Sequence, residues 1–173
     1  MKRILLLVFF LACVAVFPQG AVAADGAGIG YVDLQKVLNL SNAGKKAKEQ
    51  LSERVKKFQD EINKKQEDLK KLKDVLEKQG AYLSEKAKSE KDREYQLGLK
   101  EFQRLTKDAQ EDLQAKDEEL TRGILVEIEK VVQDYGKKND FTIIFIRNES
   151  MLFANEKADV TDAVLKIFDS SNK

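Results

Sequence analysis

The side chains that usually carry chemistry are almost missing from this sequence. Its 173 residues include no His and one Cys, Cys13, which excludes Ser-His-Asp and Cys-His catalysis and the usual zinc sites. Gly26-Ala27-Gly28-Ile29-Gly30 is glycine-rich, but it lacks the Lys-Ser/Thr of a phosphate loop and runs into a strand-like segment rather than a helix. It reads as a flexible leader. Acidic pairs such as Glu118/Glu119 and Asp159/Asp162 have the placement of solvated and capping residues on helices. No catalytic residue, no metal ligand and no cofactor is expected, and the chain is not read as an enzyme. What remains is non-covalent chemistry, and a helical hairpin that returns to a small sheet is a holder or a spacer. The apolar groups expected to be left for outward contact are Phe58, Tyr82, Tyr95, Leu97 and Leu99. Packing against a partner helix is the competing role for each, and Phe58 lies on the helix seam.

The element that must position these residues is a charged, proline-free run from about Ser41 to Lys138. Leu51, Val55, Phe58, Ile62, Leu69, Leu72 and Leu76 fall at steps of three and four, with Lys65 in the missing seam position, which is the period of a supercoiled helix pair. Ser41 caps the start, and Gly80 is placed to end the helix in the left-handed conformation. Ser84 then caps a second helix carrying Leu99, Phe102, Ala109, Leu113, Leu120, Ile124, Ile128, Val131 and Tyr135. Thr106 and Lys116 interrupt its seam. A short tip near 80–84 makes the two helices antiparallel neighbours. At about 1.5 Å per residue the arms span roughly 57 Å (42–79) and roughly 81 Å (85–138). The end of the second helix, 122–138, therefore outruns its partner, and its wide apolar stripe marks it as core.

Two short stretches flank the hairpin and form a body, 24–41 and 139–173. Ile29-Gly30-Tyr31-Val32 reads as a strand, with Asp33 capping a brief helix. Phe141 to Ile146 is a continuous β-branched and aromatic run, the pattern of a strand buried on both faces. Met151 to Ala154 reads as a third strand, and Thr161 as the cap of a last helix. The fold class is thus α+β and predominantly helical, a small sheet body bearing a long antiparallel hairpin. So small a body buries little core by itself, and a three-stranded sheet leaves open edges. A closed homo-oligomer is expected, with Ile29, Tyr31, Val32, Phe141, Ile143, Ile144, Phe145 and Ile146 as its interface and body core.

The first 23 residues read as an export signal, with basic Lys2 and Arg3, apolar Ile4 to Phe17, and Ala21-Val22-Ala23 as the cleavage site. Cleavage after Ala23 removes the only Cys and the only Pro, so the exported chain must hold itself together by packing without disulfides. Without Lys2 and Arg3, 29 Lys and Arg face 30 Asp and Glu, a formal charge of −1. That balance argues against a nucleic-acid binder.

The order of these features carries a resemblance. The export signal, Ile29-Gly30-Tyr31-Val32-Asp33-Leu34, Ser41-Asn42-Ala43-Gly44, the charged hairpin, Phe141-Thr142-Ile143-Ile144 and Asp159-Val160-Thr161 resemble the Skp/OmpH family of periplasmic chaperones. The resemblance implies a homotrimer whose three chains build a small β-barrel body at the trimer axis, with three hairpins projecting as tentacles around a cavity. It implies an ATP-independent periplasmic holdase for unfolded outer-membrane β-barrel proteins, with Phe58, Tyr82, Tyr95, Leu97 and Leu99 as the residues facing the client. Two departures accompany it. The exported chain is near neutral where familiar members are basic, and Arg104, Lys107 and Lys116 alternate with acids, so the family's lipopolysaccharide site is not carried over. The alternative function is a structural coiled-coil spacer of the cell envelope. The partners expected are unfolded outer-membrane proteins and copies of the chain itself, with no nucleic acid; a transient contact with the membrane surface through Lys45-Lys46-Ala47-Lys48 and Lys70-Lys71-Leu72-Lys73 stays open.

Overall fold

A computed structural model describes residues 28–171, and the expectations for the leader and cleavage site lie outside the described residues. In chain order the elements are β1 (Gly28–Val32), α1 (Leu34–Leu40), α2 (Asn42–Gln79), α3 (Glu85–Lys138), β2 (Phe141–Ile146), a single 3-10 turn (Glu156–Ala158) and α4 (Thr161–Ser171). Mostly helix with a two-stranded sheet, the chain is α+β as expected.

Local chemistry sets the helix ends. The Asp33 carboxylate accepts from the Lys36 N–H at 2.8 Å and opens α1. Ser41 Oγ accepts from the Gly44 N–H at 3.1 Å and opens α2, while the Asp169 carboxylate takes the Asn42 N–H at 2.8 Å. Ser84 Oγ accepts from the Ala87 N–H at 3.3 Å and opens α3. These bonds satisfy donors that a helix start leaves free. Gly44 is required sterically, since a β-carbon there would lie 1.7 Å from the Leu38 carbonyl oxygen.

Gly80 corrects one expectation. It ends α2 at φ −59°, ψ −29°, in the right-handed region, not in the left-handed one. A β-carbon at Gly80 would meet the Leu76 carbonyl oxygen at 2.2 Å, so glycine serves close approach rather than handedness. The left-handed residue is Asp140, φ 55°, just past the C-cap of α3. There the Tyr135 carbonyl accepts from both the backbone N–H (3.1 Å) and the side-chain amide (2.8 Å) of Asn139.

β1 and β2 pair in parallel, with Ile29 opposite Ile143, Tyr31 opposite Phe145 and Val32 opposite Ile146. A parallel pair needs a crossover, and here α1, the hairpin and its return are that crossover. The expected third strand is absent, because Met151–Ala154 takes no strand conformation. The second edge of β1 is already occupied: Tyr31 bridges Asp159, and its carbonyl accepts from the Val160 N–H at 2.9 Å. No edge of the chain's own sheet pairs with 151–154. Thr161 departs from expectation as well. The Val160 carbonyl takes the first helical bond of α4, from Val164 at 2.9 Å, and the Asp159 carboxylate takes the Thr161 N–H at 2.8 Å. The Thr161 hydroxyl is thereby released to bond elsewhere.

The core lies where α3 leaves its partner. Val32, Val37, Ile124, Ile128, Val160, Val164 and Phe168 are buried together, with Leu34, Leu38, Val131 and Tyr135 packed around them. β2 is more open than its apolar run led one to expect. Phe141 and Ile144 are half-buried, whereas Ile143, Phe145 and Ile146 are exposed. One chain supplies cover to only part of the strand.

Candidate functional site

Two cross-arm ion pairs fix how the arms face each other. The Arg54 guanidinium grips Asp112 through both carboxylate oxygens, with Nη2 to Oδ2 at 2.6 Å. Eleven residues further along α2, Lys65 pairs with Glu101, eleven residues back along α3. Equal steps in opposite directions keep the antiparallel register constant between the two pairs. The contacts depress both acids. The bond from Lys65 holds the Glu101 carboxyl below its usual range, and the bond from Arg54 does the same for Asp112. Lys65, which the heptad pattern places as an interruption of the seam, is therefore tied rather than idle. The hydroxyl of Thr106 folds back onto the Phe102 carbonyl at 2.9 Å, and Lys116 pairs along its own helix with Glu119 at 2.9 Å.

The arm residues named as client-facing do not form one patch. Phe58, Tyr95 and Leu99 are half-buried between the helices. Leu97 is exposed and lines a groove of about 610 Å³ with Leu69, Leu72, Val75 and Gly98. Tyr82 stands alone at the tip, 90% exposed. Gly98 is a place of close approach, since a β-carbon there would meet Leu69 Cδ2 at 2.8 Å.

A second groove, about 320 Å³, opens at the arm root between α1 and the hairpin. Leu38, Leu51, Leu120 and Ile124 form its floor, and Gln35, Asn39, Lys48 and Asp117 its rim. It lies on the broad side of the hairpin away from the Arg54–Asp112 pair.

The body residues divide into two sets. Tyr31 and Val32 are buried within the chain, and the Arg147 guanidinium sits 6.0 Å from the Tyr31 ring centroid. Burial, and the Asp159 carboxylate beside it, push the Tyr31 phenol up. Ile144 and Phe141 also face inward, against Gly136 and Tyr135. Ile29 (57% exposed), Ile143, Phe145 and Ile146 point outward. Sequence reasoning missed Leu152 and Phe153, which are 97% and 87% exposed. The signal that singles them out is an adjacent apolar pair in a segment that pairs with no strand among the described residues.

Among the described residues no group of His, Cys, Asp or Glu gathers as a metal ion would need, and no helix is long and apolar enough to cross a membrane. Residues 28–168 match the profile of the family described as "Outer membrane protein (OmpH-like)". An uncharacterised protein of Aquifex aeolicus (strain VF5) is 36% identical over 138 residues, covering 80% of this chain and 83% of that one. A crystal structure from Caulobacter crescentus CB15, described there as a candidate outer membrane chaperone (OmpH-like), superposes with a TM-score of 0.77. Its identity is 18%, and the match covers 83% of this chain and 85% of the other. That likeness is one of fold.

Proposed function

The chain belongs to the OmpH-like outer membrane protein family, and from that premise we propose that it is an ATP-independent periplasmic holdase. It acts as a homotrimer, exported and cleaved after Ala23, that shelters unfolded outer-membrane β-barrel proteins between its helical arms and prevents their aggregation in transit. The observation that carries this reading is a division of labour. The body leaves Ile29, Ile143, Phe145, Leu152 and Phe153 uncovered, while the two long helices of the arm project away from it. Ile29 and Ile143 are paired across the strands with Phe145 two residues on, and exposed apolar groups so close together mark an interaction surface. Copies of the chain that cover one another's bodies would bring their hairpins round a common space. The division of the chain into a body (24–41 and 139–173), an arm (42–138) and an arm root (122–138) is part of the same proposal.

Tyr82 and Leu97 are the two named arm residues most open to a client, and Phe58, Tyr95 and Leu99 contribute only their exposed edges. Each contact is weak, so holding relies on many contacts acting together. The spacer alternative draws support from one observation: Lys65, at a seam position, is locked to Glu101. One experiment separates the two. The mature protein is mixed with an outer-membrane porin diluted from urea, and light scattering and sedimentation are followed without nucleotide. A holdase suppresses scattering and co-sediments with the porin as a defined complex. A spacer leaves aggregation unchanged, and a need for ATP would overturn the mechanism.

A further inference from the structure

The two broad faces of the hairpin differ in kind. One carries the Arg54–Asp112 and Lys65–Glu101 pairs. The other begins at the root groove with Lys48, Asp117 and Thr121. Along this second face, helical periodicity brings Gln59, Asn63 and Gln66 of α2 beside Gln103, Thr106 and Gln110 of α3. The register set by the ion pairs puts Asn63 level with Gln103. All six residues are exposed, and none is ionised. In a chain that is 35% charged, these five amides and one hydroxyl make an uncharged patch at mid-arm, bounded by Lys56, Lys70 and Lys107 one helical turn away and opposite a face of ion pairs.

We infer that this amide face is the arm's contact with the main chain of an extended, unfolded polypeptide. The inference rests on the holdase reading and names what the arms recognise. A side-chain amide offers donors and an acceptor in one neutral group, which matches the N–H and C=O that every residue of an unfolded chain presents. Binding it strips water from no ion, unlike the opposite face. Recognition through main-chain groups is blind to side-chain sequence. Within the hairpin these groups are weakly engaged: Gln59 bonds Asn63 of its own helix at 2.9 Å, and the Thr106 hydroxyl is turned onto its own helix. The client is thus a neutral amide chain, which complements a neutral amide surface.

The test compares two four-site variants of the full mature protein that change charge equally. In the first, Gln59→Glu, Gln66→Glu, Gln103→Glu and Gln110→Glu charge the amide face. In the second, Lys64→Gln, Lys78→Gln, Arg93→Gln and Arg104→Gln alter the outer edges of the arms. Circular dichroism and sedimentation check that both keep their helices and assembly. The probe is a urea-denatured outer-membrane porin followed by its Trp fluorescence, since the chain contains no Trp. The first variant should hold the porin at least tenfold more weakly, and the second within about twofold of wild type. An unstructured peptide from one porin strand should also bind more tightly than its N-methylated counterpart, which lacks main-chain donors. Equal holding by the two variants, or indifference to N-methylation, overturns the inference while the holdase reading stands. A wild type that does not hold the porin at all overturns the holdase reading itself.

Discussion

The hydroxyl of Thr161 accepts a hydrogen bond from the backbone N–H of Asp33 at 2.9 Å, across 128 residues of sequence. Thr161 is fully buried. This bond, with the Asp159 bridge to Tyr31, ties the start of α4 to the end of β1. The hairpin leaves and re-enters the body between those two elements, so the bond clamps the point from which the arm projects.

Removing that acceptor should loosen the body and leave the arms helical. Thr161→Val keeps the shape but strands a partly buried N–H, which costs about 1–3 kcal/mol. Urea titration followed by circular dichroism should show an earlier first transition, and Thr161→Ser should recover most of the loss. An unchanged midpoint in Thr161→Val would count against the clamp.

Two glycines should respond in opposite directions to alanine. Gly44→Ala drives a methyl into the Leu38 carbonyl, 1.7 Å from an ideal β-carbon, and should destabilise by about 1–3 kcal/mol. Gly123 has nothing within 4 Å of such a carbon and lies inside α3. Gly123→Ala should therefore stabilise by about 1 kcal/mol, the difference in helix propensity. Thermal melts of the two variants give the signs directly.

The exposed apolar body surface should be separable from the chain's own core. Ile143→Asp or Leu152→Asp should reduce the assembly to single chains that keep their helical content, read by sedimentation and circular dichroism. Ile144→Asp should behave differently. Ile144 lies against Gly136, its Cδ1 3.3 Å from where a β-carbon there would lie, so a carboxylate disrupts the fold itself. Dissociation without unfolding in Ile144→Asp would contradict this placement.

Acid should unlatch the arms. The Glu101 and Asp112 carboxyls are both depressed by their basic partners. Their contribution is therefore complete above the unfolded carboxylate value, about 4, and fades as pH falls through the lower folded values. Thermal melts between pH 7 and pH 5 should coincide, and those below about pH 4 should drop. Arg54→Met should flatten part of that drop. Because both pairs are exposed, the effect is small and weakens with salt.

Shortening the arms in register should preserve assembly and reduce holding. The constant register of Arg54–Asp112 and Lys65–Glu101 pairs 59–72 with 94–107, so these two segments are removed together. Sedimentation should show the wild-type assembly, while the porin assay should show weaker capture. Loss of assembly would place part of the interface on the arms.

The sequence by itself determined the arms. Heptad apolar spacing, the serines at 41 and 84 and the absence of proline after residue 18 are local signals. They set α2 and α3 to the residue ranges 42–79 and 85–138, because helix formation and capping depend on neighbours three and four positions away. The roles of Lys65, Gly80, Thr161 and Met151–Ala154 needed the tertiary structure. Each is fixed by a group distant in sequence or by the local course of the backbone: a carboxylate on the other arm, a carbonyl one turn back, a backbone N–H 128 residues away, an edge already taken by Asp159. Periodicity reports which residues want burial, but it carries no record of which partner arrives first at a strand edge or an unpaired donor. β2 shows the same limit. Its apolar run asks for cover on both faces, and only the folded chain decides that Phe141 and Ile144 find it at home while Ile143 and Phe145 do not.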